Sequence, residues 1–173
     1  MIGFYNYTVW LTYIGMLSSV VGITLACGGH PIAAVICLMF SGFCDMFDGI
    51  VARTKKDRTA EECSYGIQLD SLSDVICFGV FPVVIGVSVG ANEWWQITIM
   101  ALFALCGLIR LAYYNVTEEV RQKTETGKRK HYLGVPITSS ALTVPLLFCF
   151  EGLLGRNFPI AYTLLLLVNG ALF

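Results

Sequence analysis

The chain is 173 residues long, 56% of its residues are hydrophobic, only 13% are charged, and its formal net charge is -1. This composition is much more apolar than that of a soluble domain, and it predicts an integral membrane protein that crosses the bilayer several times. The basic residues lie in two short runs beside apolar segments, so a nucleic-acid partner is not expected. The seven cysteines show no C-x-x-C spacing and are interpreted as packing residues.

Six apolar segments follow one another along the chain. A hydrocarbon core of about 30 Å requires roughly 20 helical residues. The predicted spans cover approximately residues 8–27, 32–51, 67–89, 93–115, 135–150 and 158–173. The predicted fold is therefore all-α, with six transmembrane helices in one domain over residues 1–173. The last segment reaches only 16 residues before the sequence stops, so a truncated natural C-terminus is expected.

The distribution of basic residues predicts the orientation in the membrane. Nine of the eleven Lys and Arg residues lie in or beside the connections that follow the second and fourth spans. By the positive-inside rule, both connections face the cytoplasm. The basic run Lys128-Arg129-Lys130, with His131, is interpreted mainly as a topology and headgroup anchor.

Four aspartates lie inside predicted spans, close to their cytoplasmic ends. Asp45 and Asp48 share one face of the second span, and Asp70 and Asp74 share one face of the third. The helical rise places all four roughly 5 to 10 Å inside the spans, so they can converge on one point. Each unpaired carboxylate costs about 2.5 to 3.5 kcal/mol at mid-bilayer, less near the surface, which predicts a compensating cation. Oxygen-only ligands favour Mg²⁺, Mn²⁺ or Ca²⁺ over zinc.

Small residues and an arginine surround these acids. Gly49, Ala52 and Gly66 leave the backbone open to a bulky ligand, and the Arg53 guanidinium suits a phosphate. Together with the acids they predict a site for a diphosphate. Two alternatives use the same acids: a structural role in which they pair with Arg53 or Arg110, and a pathway through a divalent-metal transporter.

The spacing of these residues matches a known signature, Asp45-x-x-Asp48-Gly49-x-x-Ala52-Arg53 followed by Gly66-x-x-x-Asp70-x-x-x-Asp74. This pattern resembles that of the CDP-alcohol phosphatidyltransferases, a family of six-span membrane enzymes. Twelve residues separate Arg53 from Gly66, a few more than is usual in the family, so the loop Thr54–Tyr65 is predicted to carry an insertion. Family members often place a Ser or Thr near this Gly to bind the nucleotide, and Ser64 or Thr59 is the candidate here.

The resemblance implies a role for each residue of the signature. Two divalent cations are implied, one held by Asp45, Asp48 and Asp70, and one held by Asp45, Asp70 and Asp74. Asp74 is also implied to be the catalytic base. The residues implied to bind the CDP moiety are Asp48, Gly49, Ala52, Arg53, Ser64 and Gly66. The implied partners are CDP-diacylglycerol or CDP-archaeol, membrane lipids and a second copy of the chain in a homodimer.

Further stretches resemble the phosphatidylserine synthase branch of this family, which implies L-serine as the acceptor and CMP as the leaving product. These stretches are Leu69–Asp74 with Phe78-Gly79 and Pro82, Arg110–Val116, and Tyr132–Pro136. Arg110, within the fourth span, is predicted to bind the serine carboxylate, with Asn115 nearby, although Arg110 also suits a helix-end anchor. Glycerol 3-phosphate and an inositol phosphate are the alternative acceptors, and their phosphates require a larger basic pocket than Arg110 alone provides.

Overall fold

The computed structural model describes residues 7–55, 59–124 and 134–173. Within these ranges every regular element is a helix, which confirms the prediction of an all-α protein. The α-helices are α1 (Trp10–Cys27), α2 (Pro31–Thr54), α3 (Ala60–Asp74), α4 (Phe81–Ser88), α5 (Trp94–Thr124), α6 (Ser140–Phe148), α7 (Glu151–Leu154) and α8 (Phe158–Leu172). A π-helical turn, Val75–Val80, joins α3 to α4 without a break, and three-residue 3-10 turns lie at Tyr7–Val9, Ile137–Ser139 and Gly155–Asn157.

Four helical runs are long and apolar enough to cross a membrane. They are Trp10–Cys27, Pro31–Ala52, Glu61–Ser88 and Trp94–Val120, and they correspond to the first four predicted spans. The last two predicted spans pass the same test only together, as the pair Ile137–Phe148 and Glu151–Leu172, which is bent by 58°. The protein is therefore an integral membrane protein with four or five such helices among its described residues, and six separate spans stay a prediction.

The connection between α2 and α3 is shorter than the sequence indicated. α3 begins at Ala60, well inside the stretch Thr54–Tyr65 that was predicted as a loop. Thr59 caps this helix: its hydroxyl accepts a hydrogen bond from the Glu62 N–H, and the Glu62 carboxylate accepts one from the Thr59 N–H, both at 3.2 Å. Lys55 Nζ lies 3.2 Å from the same carboxylate. The capping box therefore starts the helix about 1.7 turns before Gly66.

Close packing of helices brings α1, α2 and α4 together. A Cβ atom on Gly22 of α1 would lie 2.2 Å from the Phe81 ring and 2.8 Å from Cys37 Cβ. A Cβ atom on Gly42 of α2 would likewise lie 2.5 Å from Ala141 Cβ of α6. Small residues at such crossings allow helices in a membrane to approach closely, where packing and not water drives association. α1 packs along α2 and also contacts α3, so the acid-bearing parts of α2 and α3 both lie beside α1.

Hydroxyl groups from other helices support the π-helical turn and the first turn of α4. Pro82 has no N–H, so the Phe78 carbonyl lacks the donor that an α-helix normally provides four residues later. The buried Ser140 hydroxyl donates to this carbonyl instead, at 3.1 Å. The Tyr162 hydroxyl donates to the Pro82 carbonyl at 2.7 Å. These bonds attach α6 and α8 to the helix that carries Asp74, and π-helical turns are often found at functional sites.

Candidate active site

The structure brings the four aspartates of the predicted site together. Carboxylate oxygens of Asp45, Asp70 and Asp74 lie within 4.8 Å of one another, a group that could hold a metal ion. Asp48, one turn after Asp45 on α2, lies beside Asp70. Asp48 and Asp74 are each only 9% exposed. Three- and four-residue spacing on two facing helices is therefore sufficient to concentrate four carboxylates in one place.

These acids line a small space that we call the carboxylate pocket. Its volume is about 10 Å³, and its lining residues are Leu11, Thr12, Gly15, Ser41, Cys44, Asp45, Asp48, Asp70, Ser73, Asp74, Cys77 and Phe78. Oδ1 of Asp70 is buried there and has no hydrogen-bond partner among the described residues. An unsatisfied buried acceptor is costly, and clustered carboxylates repel one another unless a cation lies between them. The donor set, all oxygens from carboxylates, fits a hard divalent cation.

The first helix also contributes to the site. Thr12 Oγ1 of α1 donates a hydrogen bond to Asp48 Oδ2 at 3.0 Å. Sequence reasoning missed this residue, because a single Thr in an uncharged apolar segment carries no recognisable signal. The bond holds the Asp48 carboxylate in one orientation, as residues that contact metal ligands commonly do.

Replacing Thr12 by Val should weaken binding of divalent cations by roughly tenfold, because loss of such an orienting contact typically costs 10- to 100-fold in metal affinity. Val preserves the shape of the side chain and removes only the hydroxyl. Isothermal titration of the metal-free protein with Mn²⁺ measures the effect directly. Thr12→Ser, which retains the hydroxyl, is the matched control and should bind Mn²⁺ like the unmodified chain. Equal affinities in all three proteins would show that the Thr12 hydrogen bond does not orient Asp48.

A second space, the α2–α3 cavity, opens beside Asp48 and Asp70. It has a volume of about 170 Å³ and is lined by Val9, Thr12, Asp48, Gly49, Ala52, Cys63, Gly66, Ile67 and Asp70. Four of the six residues predicted to bind a CDP moiety therefore meet in one cavity, namely Asp48, Gly49, Ala52 and Gly66. Ser64 is exposed and lies outside this lining, and Cys63 borders the cavity next to it. The Arg53 side chain lies outside the described residues.

A third space, the Arg110 cavity, lies on the other side of Asp74. Its volume is about 290 Å³, and it is lined by Asp74, Arg110, Leu111, Tyr114, Gly134, Pro136, Ile137 and Thr138. Arg110 Nη1 donates a hydrogen bond to the Val135 carbonyl, so this arginine ties α5 to the segment before α6. Asn115 is not among the lining residues, and its Nδ2 donates to Ser71 Oγ at 2.7 Å.

The three spaces are connected through shared carboxylates. Asp48 and Asp70 border both the α2–α3 cavity and the carboxylate pocket. Asp74 borders both the carboxylate pocket and the Arg110 cavity. Two ligands can therefore reach the acids from two different cavities: one in the α2–α3 cavity would meet Asp48 and Asp70, and one in the Arg110 cavity would meet Asp74. Such a carboxylate is suited to accept a proton from one ligand as it reacts with the other.

Comparison with known proteins defines the class to which this fold and site belong. The family model for CDP-alcohol phosphatidyltransferase matches residues 5–171, so the chain belongs to that family. It is 35% identical, over 140 residues, to the CDP-diacylglycerol–serine O-phosphatidyltransferase of Saccharomyces cerevisiae, a match covering 79% of this chain and 49% of the relative. It is 33% identical, over 135 residues, to the archaetidylserine synthase of Methanothermobacter thermautotrophicus, covering 78% and 54%.

The chain is also similar to a bacterial protein whose name refers to serine. The chain is 30% identical, over 121 residues, to the CDP-diacylglycerol–serine O-phosphatidyltransferase of Bacillus subtilis, covering 68% of this chain and 62% of the relative. The chain thus spans about half the length of the first two relatives, and none of the solved structures matches it significantly. Relatives from three domains of life carry names that refer to serine.

Proposed function

We propose that this chain transfers a phosphatidyl group, or its archaeal ether-lipid equivalent, from a CDP-lipid to L-serine and releases CMP. The observation that carries the proposal is the position of Asp74 between the carboxylate pocket and the Arg110 cavity. Membership of the family supports the CDP-lipid donor, and the names of the relatives support serine as the acceptor. The active site faces the cytoplasm in this proposal, because the basic connections lie at the same ends of the helices.

The α2–α3 cavity is the proposed site of the CDP diphosphate. Gly49 and Gly66 line it without side chains, so a phosphate can approach the backbone of both helices. Thr12 of α1 and Cys63 of α3 add polar groups to its lining. The cavity lies next to exposed apolar residues such as Ile50 and Ile67, which are 56% and 43% exposed. The lipid tails of CDP-diacylglycerol or CDP-archaeol can therefore remain in the bilayer while the headgroup enters from the side.

Two divalent cations, Mg²⁺ or Mn²⁺, are the proposed cofactors. Asp45, Asp48 and Asp70 would hold one, and Asp45, Asp70 and Asp74 would hold the other. The second of these sets is the group whose carboxylate oxygens lie within 4.8 Å of one another. When bound, such cations neutralise the diphosphate and make its phosphorus more electrophilic. The buried, unpartnered Oδ1 of Asp70 supports the proposal that the protein requires a cation there.

The reaction follows from this arrangement. Serine enters the Arg110 cavity with its hydroxyl towards Asp74, and the hydroxyl oxygen attacks the phosphorus that bears the lipid. A new phosphorus–oxygen bond forms to serine, the bond to the CMP phosphate breaks, and the hydroxyl proton passes to the Asp74 carboxylate. Asp48 and Asp70 would hold the donor diphosphate through the cations that they bind, because the carboxylates alone would repel it. Proximity of two bound reactants, with a base beside the attacking oxygen, accounts for the catalysis.

The lining of the Arg110 cavity favours a small acceptor that carries a single carboxylate. Leu111, Pro136 and Ile137 provide apolar walls, and Arg110 is the one basic residue among those described there. Acceptors that bear a phosphate, such as glycerol 3-phosphate, would carry a larger negative charge into a cavity with little basic surface. A homodimer, which the family resemblance implies, is part of the proposal and is measurable by mass photometry in nanodiscs.

An acceptor screen tests this function. The purified full chain, in nanodiscs with CDP-diacylglycerol or CDP-archaeol and Mn²⁺, should release CMP when L-serine is added, as measured by chromatography of the nucleotides. Labelled serine should appear in the lipid fraction at the same rate. Release of CMP with glycerol 3-phosphate or inositol phosphate, but not with serine, would contradict the choice of acceptor. Uptake of Mn²⁺ into liposomes without any CMP release would indicate a metal transporter instead.

A further inference from the structure

The segment Gly134–Ser140 forms one wall of the Arg110 cavity and is anchored to three other elements. Its Val135 carbonyl accepts a hydrogen bond from Arg110 of α5, and its Val135 N–H donates to the Leu172 carbonyl of α8 at 3.0 Å. At its other end, the Ser140 hydroxyl donates to the Phe78 carbonyl in the π-helical turn. The wall is therefore attached both to the helix that carries Asp74 and to the helix that carries Arg110.

Between these anchors, the Ile137 side chain lies against two glycines. Gly79 follows Asp74 by five residues in the π-helical turn, and Gly107 precedes Arg110 by one turn of α5. A Cβ atom on Gly79 would be 3.7 Å from Ile137 Cδ1, an ordinary van der Waals contact. A Cβ atom on Gly107 would be only 2.4 Å from the same atom. Ile137 is 2% exposed, so its side chain fills this space and depends on the missing side chain at Gly107.

Ile137 also borders the Arg110 cavity, together with its neighbours Pro136 and Thr138. A displacement of the Ile137 side chain therefore changes the lining of the cavity that Asp74 and Arg110 also border. Because reactive geometry is sensitive to such shifts, a misplacement of about 1 Å can cost roughly 100-fold in rate.

We propose that Ile137, seated against Gly107, is a positioning residue that sets the width of the Arg110 cavity and thereby the approach of the acceptor hydroxyl to Asp74. This inference rests on the proposed function, because it assigns the Arg110 cavity to the acceptor. It goes beyond that function by naming the contact that determines which acceptors fit. The α2–α3 cavity does not include Ile137, so CDP-lipid binding should be independent of this contact.

The test is Gly107→Ala, which forces Ile137 Cδ1 to move by about 1 Å, from 2.4 Å to the 3.4 Å at which ordinary contact begins. We expect kcat/KM for the acceptor to fall by roughly ten- to a hundredfold, with KM for the CDP-lipid unchanged. Adding Ile137→Val removes the obstructing Cδ1 atom, so the double variant should recover most of the lost kcat/KM. Ile137→Ala in the unmodified background should also raise the acceptor KM, without requiring any neighbour to move.

Gly79→Ala is the matched control, since it adds the same methyl group against the same Ile137 atom at an ordinary distance. It should leave both KM values within twofold of the unmodified chain. Melting temperatures of all variants are measured in parallel. The proposal would be overturned if Gly107→Ala weakened CDP-lipid binding as much as acceptor use and also lowered the melting temperature. It would also be overturned if adding Ile137→Val did not restore kcat/KM for the acceptor. If the unmodified chain uses an acceptor other than serine, the same comparison is made with that acceptor, so the two proposals fail separately.

Discussion

Replacing Asp74 by Asn should reduce kcat for CMP release by roughly 10²- to 10⁴-fold, the usual contribution of a general base. Asn has nearly the same size as Asp, but its amide cannot accept the proton that the acceptor hydroxyl loses. Asp74 borders the carboxylate pocket and the Arg110 cavity but not the α2–α3 cavity. Binding of the CDP-lipid should therefore be largely preserved, so kcat should change far more than the affinity for the donor.

Two measurements separate this loss of catalysis from damage to the fold. Titration with CDP-diacylglycerol measures the affinity for the donor, and a stopped assay of CMP release measures turnover. Glu61→Gln makes the same acid-to-amide change in the exposed first turn of α3 and should leave both quantities unaltered. Near-normal turnover in Asp74→Asn would exclude Asp74 as the base. An equal loss of donor affinity would place Asp74 at the diphosphate instead.

The parts of this protein that could be predicted from sequence are those with a regular spacing. Uncharged stretches of about 20 residues mark helices in a membrane, because each residue adds about 1.5 Å of rise against a fixed hydrocarbon thickness. The four aspartates were identified by the same regularity, since carboxylates three or four residues apart on a helix must share a face. Their convergence required only that the two helices border one common space, which α2 and α3 do at the carboxylate pocket.

The ends of the helices were predicted less well. Hydropathy identifies the apolar part of a helix that lies in the membrane, but a helix can continue into polar residues beyond it. α5 continues to Thr124, nine residues beyond its predicted end at 115, because polar residues such as Glu118 and Glu119 also favour a helix. α3 likewise begins at Ala60, although the apolar segment begins only near Ile67. The Thr59-x-x-Glu62 pattern is a recognisable capping signal, so this start could have been predicted from local chemistry.

Contacts between elements distant in sequence could not be predicted. Thr12 and Asp48 are 36 residues apart, and Arg110 and Val135 are 25 residues apart. No local sequence pattern predicts either contact. Sequence reasoning offered three roles for Arg110, namely binding the serine carboxylate, pairing with the aspartates and anchoring a helix end, whereas the structure ties it to the Val135 carbonyl. The sequence does not show which backbone carbonyl accepts such a bond, because every residue carries the same carbonyl group.

The arrangement of the site also explains why its acids are distributed over two helices. Each helix alone presents two carboxylates on one face, enough to bind a cation weakly. Facing helices double the number of ligands, and the Thr12 bond adds an orienting contact from a third. The same convergence concentrates negative charge, so the site is a source of instability whenever no cation is present. Activity and stability should therefore respond in opposite directions when one acid is neutralised.

Asp70→Asn should show this opposition most clearly. Asp70 contributes to both proposed cation sites, borders two of the three spaces, and has a buried oxygen without a partner. Removing its charge relieves repulsion from the neighbouring carboxylates, so the metal-free variant should melt at a higher temperature than the metal-free parent. Each kcal/mol of stabilisation corresponds to about 2–4 °C for a domain of this size. CMP release should nevertheless fall below detection, because both cations lose a ligand.

Thermal melting with and without Mn²⁺ tests the prediction. At a cation concentration 100 times its Kd, one bound ion stabilises the parent by about 2.7 kcal/mol, and this increment should disappear in Asp70→Asn. Glu93→Gln removes an exposed acid at the start of α5 and should keep both the increment and the activity. If metal-free Asp70→Asn melted at a lower temperature and still responded to Mn²⁺, Asp70 would be a structural residue. If metal-free Asp70→Asn melts at a higher temperature and releases no CMP, the Asp70 carboxylate destabilises the folded protein and is needed for the reaction.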